Sequence, residues 1–130
     1  MIAADTSTLV AYLQGLEGAD VVALGDALDA EDLTLPSVVL MEVLSDPKLD
    51  KSVAGTLKAI PLLALGEGFW ERAAHLRSRL IAGGRKAKVG DAIIAQCCID
   101  HNATLITRDH DFRHFVQHGR LRVVGIPVKR

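Results

Sequence analysis

Five carboxylates in this chain stand where they could act together: Asp5, Glu42, Asp91, Asp109 and Asp111. Asp5 closes an apolar opening, Met1 to Ala4, that reads as a first strand. Asp91 follows Gly90, which is expected to break the preceding segment, and can cap the apolar helical run Ala92 to Ile99. Asp109 and Asp111 come just after a short β-prone run, Ala103 to Thr107. Capping by itself accounts for an aspartate at any of these junctions, because its carboxylate accepts hydrogen bonds from free N–H groups and suits the helix dipole. Glu42 is different. It lies inside VVLMEVL, and an ionised carboxylate on a mostly buried helix is costly unless it is paired or bound to a cation. The first 65 residues offer it no arginine and three lysines.

Four carboxylates meeting at one edge of a sheet repel and raise one another's pKa. A divalent cation removes the conflict, and an all-oxygen donor set suits Mg²⁺ or Mn²⁺ rather than zinc. Such a site activates water and stabilises charge on a phosphoryl group. Thr6 and Ser7 could orient Asp5, and Thr107 could orient Asp109. Lys86, Lys88 and Arg108 could contact nucleic-acid phosphates. His110, His114 and His118 recur every four residues, yet no further ligand accompanies them, and a solvent face is the expectation. Phe69 and Trp70 are expected in the core or under a partner rather than stacked on bases.

The elements that must carry these residues alternate. A strand at Met1–Ala4 precedes a short helix around Leu9–Leu13. A helix at 21–30 leads to the strand Leu33–Leu35, then to a helix opened by Pro36-Ser37 and running Val38–Leu44. Another helix spans Leu49–Ala59. Ile60–Leu65 reads as a strand that Pro61 places at an edge. An amphipathic helix, Phe69–Leu80, buries Phe69, Ala73, Leu76 and Leu80. The basic loop Gly83–Lys88 leads into the central helix and strand. A short helix, Phe112–His118, and a last strand, Leu121–Ile126, finish the chain. Strands alternating with helices imply a parallel sheet covered by helices, and one domain over 1–130.

Hydrophobic residues at 49% and charged residues at 24% are globular values. No apolar run approaches the ~20 residues of a membrane span, and the N-terminus lacks the basic region of a signal peptide. Cys97 and Cys98, adjacent on the central helix, read as small core residues of a cytoplasmic protein. The net charge of −1 hides an asymmetry: residues 1–65 hold ten acids and three lysines, whereas 66–130 hold six acids and twelve lysines and arginines. A basic half can hold a polyanion while an acidic patch holds a cation.

The ordered set of Asp5-Thr6-Ser7, VVLMEVLSDPK around Glu42, GDAIIA around Asp91 and TLITRDHDF around Asp109 resembles the PIN-domain ribonucleases, and within them the VapC-type toxins of bacterial toxin–antitoxin pairs. The resemblance covers nearly the whole chain. It implies a three-layer α/β/α sandwich with a central parallel sheet, and an endoribonuclease that depends on Mg²⁺ or Mn²⁺. It implies an antitoxin partner that blocks the site, with a homodimer as the expected assembly. By this match Asp5, Glu42, Asp91 and Asp109 form the acidic quartet, and Asp111 is an extra acid reaching the metal through water. Two rivals remain at the level of sequence. One is a non-cleaving module that binds RNA or protein. The other is an aspartyl-phosphate enzyme using Asp5, weakened because Ser7 stands where such enzymes want a second aspartate.

Overall fold

The computed structural model describes residues 1–126, so the last four residues of the domain expected over 1–130 lie outside the described residues. Five short parallel strands form one sheet: β1 (Ile2–Ala4), β2 (Leu33–Pro36), β3 (Leu62–Leu63), β4 (Thr104–Ile106) and β5 (Arg122–Val124), in the order β3-β2-β1-β4-β5. Parallel strands covered on both faces read as continuous apolar runs rather than alternating ones. β1 and β4 follow that rule: Ala3, Ala4, Leu105 and Ile106 are all buried. β1 is central because its small residues let helices approach from both sides. β3 is an edge strand, and Pro61 just before it has no N–H for a ladder to require. β5 forms the other edge and leaves Arg122 and Val124 exposed.

Among the described residues seven α-helices connect and cover these strands: α1 (Thr6–Leu13), α2 (Ala19–Asp29), α3 (Ser37–Leu44), α4 (Lys51–Lys58), α5 (Phe69–Ala82), α6 (Val89–Asp100) and α7 (Arg113–His118), with a 3₁₀ turn at His110–Phe112. The result is the α/β sandwich expected from the alternation. α5 buries Phe69, Ala73, Leu76 and Leu80, one stripe at helical spacing, and packs along α6. α6 in turn lies against β2 and β4, so it is enclosed almost all round. That is why Ala92, Ile94, Ala95, Cys97 and Cys98 give it no polar face. Burial pushes both thiols up, Cys97 to about 11, and both cysteines are free. Phe112 and Phe115, with ring centroids 6.0 Å apart, anchor the chain beyond β4.

Two local expectations are corrected. Gly90 does not break the chain: it is the second residue of α6, whose cap is Lys88, so Asp91 lies inside the first turn and makes no capping bond. α3 is not a mostly buried helix. Only Val39 and Val43 are buried on it, and Met41 and Glu42 are exposed. Its apolar composition reflects a surface that other elements leave open.

The sheet order positions the site. The chain leaves β1 towards β2 and β3, then returns so that β4 takes the other side of β1. The carboxyl ends of β1 and β4 thus form the switch point, the crevice where open α/β sheets receive ligands.

Candidate active site

Asp5 stands at that switch point and is 3% exposed. Its backbone N–H donates to the Ile106 carbonyl, 3.2 Å away, continuing the β1–β4 ladder by one residue. Its side chain caps α1 by accepting from the Thr8 N–H at 3.0 Å. The Ser7 hydroxyl lies 2.9 Å from both carboxylate oxygens, and the Thr107 hydroxyl donates to Oδ2 at 2.5 Å. Burial raises the Asp5 pKa, these three donors pull it back, and the charge of Asp109 raises it again. The carboxylate therefore has one orientation, held from both strands. Thr107 also accepts from the Asp109 N–H at 3.0 Å, so one hydroxyl ties together the acids that follow β1 and β4.

Asp91, Asp109 and Asp111 converge beside it. Each offers a carboxylate oxygen, and the three lie within 4.8 Å of one another. Asp109 caps the 3₁₀ turn through the Asp111 N–H at 2.9 Å, which brings the two acids to one side of the turn. Asp91 reaches them from the first turn of α6. Its pKa is pushed up to about 6, first by burial, then by Asp109, with Asp111 and Asp5 adding to the effect and Lys88 opposing it. The repulsion expected of converging carboxylates is thus present between residues 5, 91, 109 and 111. Glu42 is outside the three-carboxylate group, and its place is given by Thr6, whose hydroxyl donates to Oε1 at 2.8 Å. Thr6 therefore orients Glu42 rather than Asp5, and it is Ser7 that orients Asp5.

The family described as PIN domain matches residues 2–116. This chain belongs to the PIN domain family. No match was found among curated proteins. Among solved structures, FitAcB from Neisseria gonorrhoeae is 23% identical, over 96% of this chain and 97% of that one, with a TM-score of 0.70. VapBC2 from Rickettsia felis, bound to a DNA fragment from its promoter, is 22% identical over 98% and 100%, with a TM-score of 0.69. VapBC-5 from Mycobacterium tuberculosis, of the VapBC family of toxin–antitoxin systems, is 18% identical over 96% and 98%, with a TM-score of 0.65. At these identities the likeness is one of fold.

The remaining polar residues of this PIN domain divide clearly. Arg108 is not a free phosphate contact. It spans Asp20 with bonds of 2.8 and 3.0 Å and also donates to the Glu17 carbonyl. Asp20 is buried, and Arg108 holds its pKa below the usual range, helped by the Thr8 hydroxyl. Sequence reasoning missed Asp20, because nothing in its spacing shows that an arginine 88 positions later will reach it. Lys86 and Lys88 place their ammonium groups 3.1 and 3.7 Å from Asp111 Oδ2. Of the histidines, His110 and His118 are exposed, but His114 is not: its Nδ1 is buried without a partner, and burial lowers its pKa. Phe69 is buried, and Trp70 stands edge-on to it at 5.0 Å while remaining 59% exposed.

The donor chemistry fits a hard divalent cation. Among the described residues, every side chain of that three-membered ligand group is a carboxylate, with no thiol or imidazole, and the charge conflict at Asp91 is one that a cation relieves.

Proposed function

We propose that this PIN domain is a divalent-cation-dependent endoribonuclease and the toxin of a toxin–antitoxin pair. The observation that carries the reading is the meeting of Asp91, Asp109 and Asp111 beside the hydrogen-bonded Asp5 at the β1/β4 switch point. PIN domains are typically nucleases, and membership of the family favours phosphodiester hydrolysis over the phosphoaspartate alternative. Asp5, Asp91 and Asp109 would hold Mg²⁺ or Mn²⁺, with Glu42 completing the set. A cation so held supplies an activated water and neutralises charge developing on the phosphoryl group. The chain's own part is preorganisation. Ser7, Thr8 and Thr107 fix Asp5, Thr6 steadies Glu42, and the Asp111 N–H fixes Asp109, so little rearrangement is left for the reaction itself.

An antitoxin partner is carried over from the VapBC structures to which the fold is similar. Homodimer formation is also proposed, through the apolar surface where Trp70 and Ile93 lie between Met41 and Val89. A cytoplasmic location follows from the same reading, and no described helix is long and apolar enough to cross a membrane. The decisive experiment incubates purified protein with total RNA in Mg²⁺, in EDTA, and as Asp5→Asn, and then maps new RNA ends. The expected result is cleavage in the first condition alone. Equal cleavage in all three would overturn the mechanism, and none in any would leave the non-cleaving binding module.

A further inference from the structure

Ala87 pins the α5–α6 connection between two lysines. Ala87 is buried, and its carbonyl accepts from Arg77 Nε at 2.7 Å. In extended chain, alternate residues point the same way. Lys86 and Lys88 flank Ala87, their side chains are more than half exposed, and both ammonium groups reach Asp111 Oδ2. Arg113 lies 4.0 Å from the other oxygen. Asp111 is thus flanked by cations of its own chain, Lys86 standing nearest. Among the described residues, one member of the three-carboxylate group, and only that one of the three, is paired with lysines of its own chain.

We propose that Asp111 is not a ligand of the divalent cation but a clasp, holding Lys86 and Lys88 at the rim of the carboxylate group so that their exposed ammonium groups take backbone phosphates of a bound RNA strand. The inference rests on the nuclease reading for its substrate. The chemistry it requires is that of a polyanion lying across the rim: two ammonium donors spaced by one residue contact phosphates without reading bases. Carboxylate and phosphate share the lysines, as each ammonium has three donors.

The sign of one substitution separates the clasp from simple electrostatics. Removing a negative charge beside a polyanion site strengthens binding, whereas removing a clasp weakens it. Anisotropy with a labelled single-stranded RNA, in an Asp5→Asn background that prevents cleavage, measures this. Asp111→Asn should weaken binding about fivefold, Lys86→Ala/Lys88→Ala should do at least as much and lower the log–log salt slope by roughly 1 to 1.5. Combining all three should add little. Binding unchanged or strengthened by Asp111→Asn would overturn the clasp. Mn²⁺ titration followed by electron paramagnetic resonance supplies the second readout. Asp111→Asn should keep the cation affinity of the unsubstituted chain, and a loss as large as that in Asp91→Asn would make Asp111 a ligand and overturn the proposal. Failure of Mn²⁺ to bind the unsubstituted chain at all would instead sink the metal-site reading, with the anisotropy result still deciding the clasp.

Discussion

Asp91 carries the largest electrostatic conflict at the site, and two expectations follow from it. Its pKa in the folded chain is about 6, against an ordinary 3.8, so between those values the native state binds more protons than the unfolded state. Stability without cation should therefore rise as pH falls from about 7.5 to about 5, by about 1.5 kcal/mol, opposite to the usual acid loss from paired carboxylates. The paired aspartates, such as Asp20 and Asp111, have lowered pKa values and act only below the ordinary carboxylate range. Urea unfolding across this window should show the rise, and Asp91→Asn should flatten it. Thr107 offers a second test at this scale. Thr107→Val keeps the shape of a fully buried residue but removes the donor to Asp5 and the acceptor for the Asp109 N–H. A loss of about 1–3 kcal/mol in stability is expected from the orphaned groups. Cleavage should fall more than tenfold, since a loosened Asp5 misplaces the chemistry. A variant as active as the parent would show that Asp5 needs no such hold.

Among the elements, the ends of β4 and β5 matter most to the site, because they set where Thr107 and Asp20 lie. Gly125 follows β5 with φ +108, a conformation that disfavours any side chain, and a Cβ there would run into the Thr107 carbonyl and come within 2.7 Å of Asp20 Cβ. Gly125→Ala should cost about 1–3 kcal/mol or more from backbone strain alone. It should also lower activity by displacing Thr107, and thermal melting beside a cleavage assay would register both. The α1–α2 connection and the start of α2 are tied to the same place by Arg108, through Glu17 and Asp20. Arg108→Ala leaves a buried carboxylate without its partner and should destabilise by about 3–5 kcal/mol. Rescue by the further change Asp20→Asn, measured by chemical denaturation, would confirm a structural pair rather than a phosphate contact. Unchanged stability in the single variant would contradict it.

For the whole molecule, the acidic crevice and the basic loop meet on one rim, and Asp91, Asp109 and Asp111 come from the same basic half of the chain as Lys86 and Lys88. A ligand that binds the native state must stabilise it, so millimolar Mg²⁺ should raise the melting temperature by about 2–5 °C. No such rise is expected in Asp91→Asn, and a flat response in both proteins would speak against a cation site. The layered α/β architecture was legible from the sequence alone. Alternating apolar strands and amphipathic helices have few ways to bury their faces, and Phe69, Ala73, Leu76 and Leu80 announced the buried stripe of α5 by spacing alone. The positions of Asp5 and Asp109 at strand ends were legible for the same reason, since local pattern locates where strands stop. That Glu42 would be exposed and stand outside their cluster was not. Glu42 reads as buried because its neighbours are apolar, yet exposure depends on which face of α3 the other elements cover, and that face carries Val39 and Val43. The pairing of Arg108 with Asp20, and of Lys86 and Lys88 with Asp111, joins residues whose separation in the chain carries no signal. Hydrophobic periodicity is a local property that a single segment displays, whereas the partner of a charge is chosen only when the sheet order brings distant segments to the same edge.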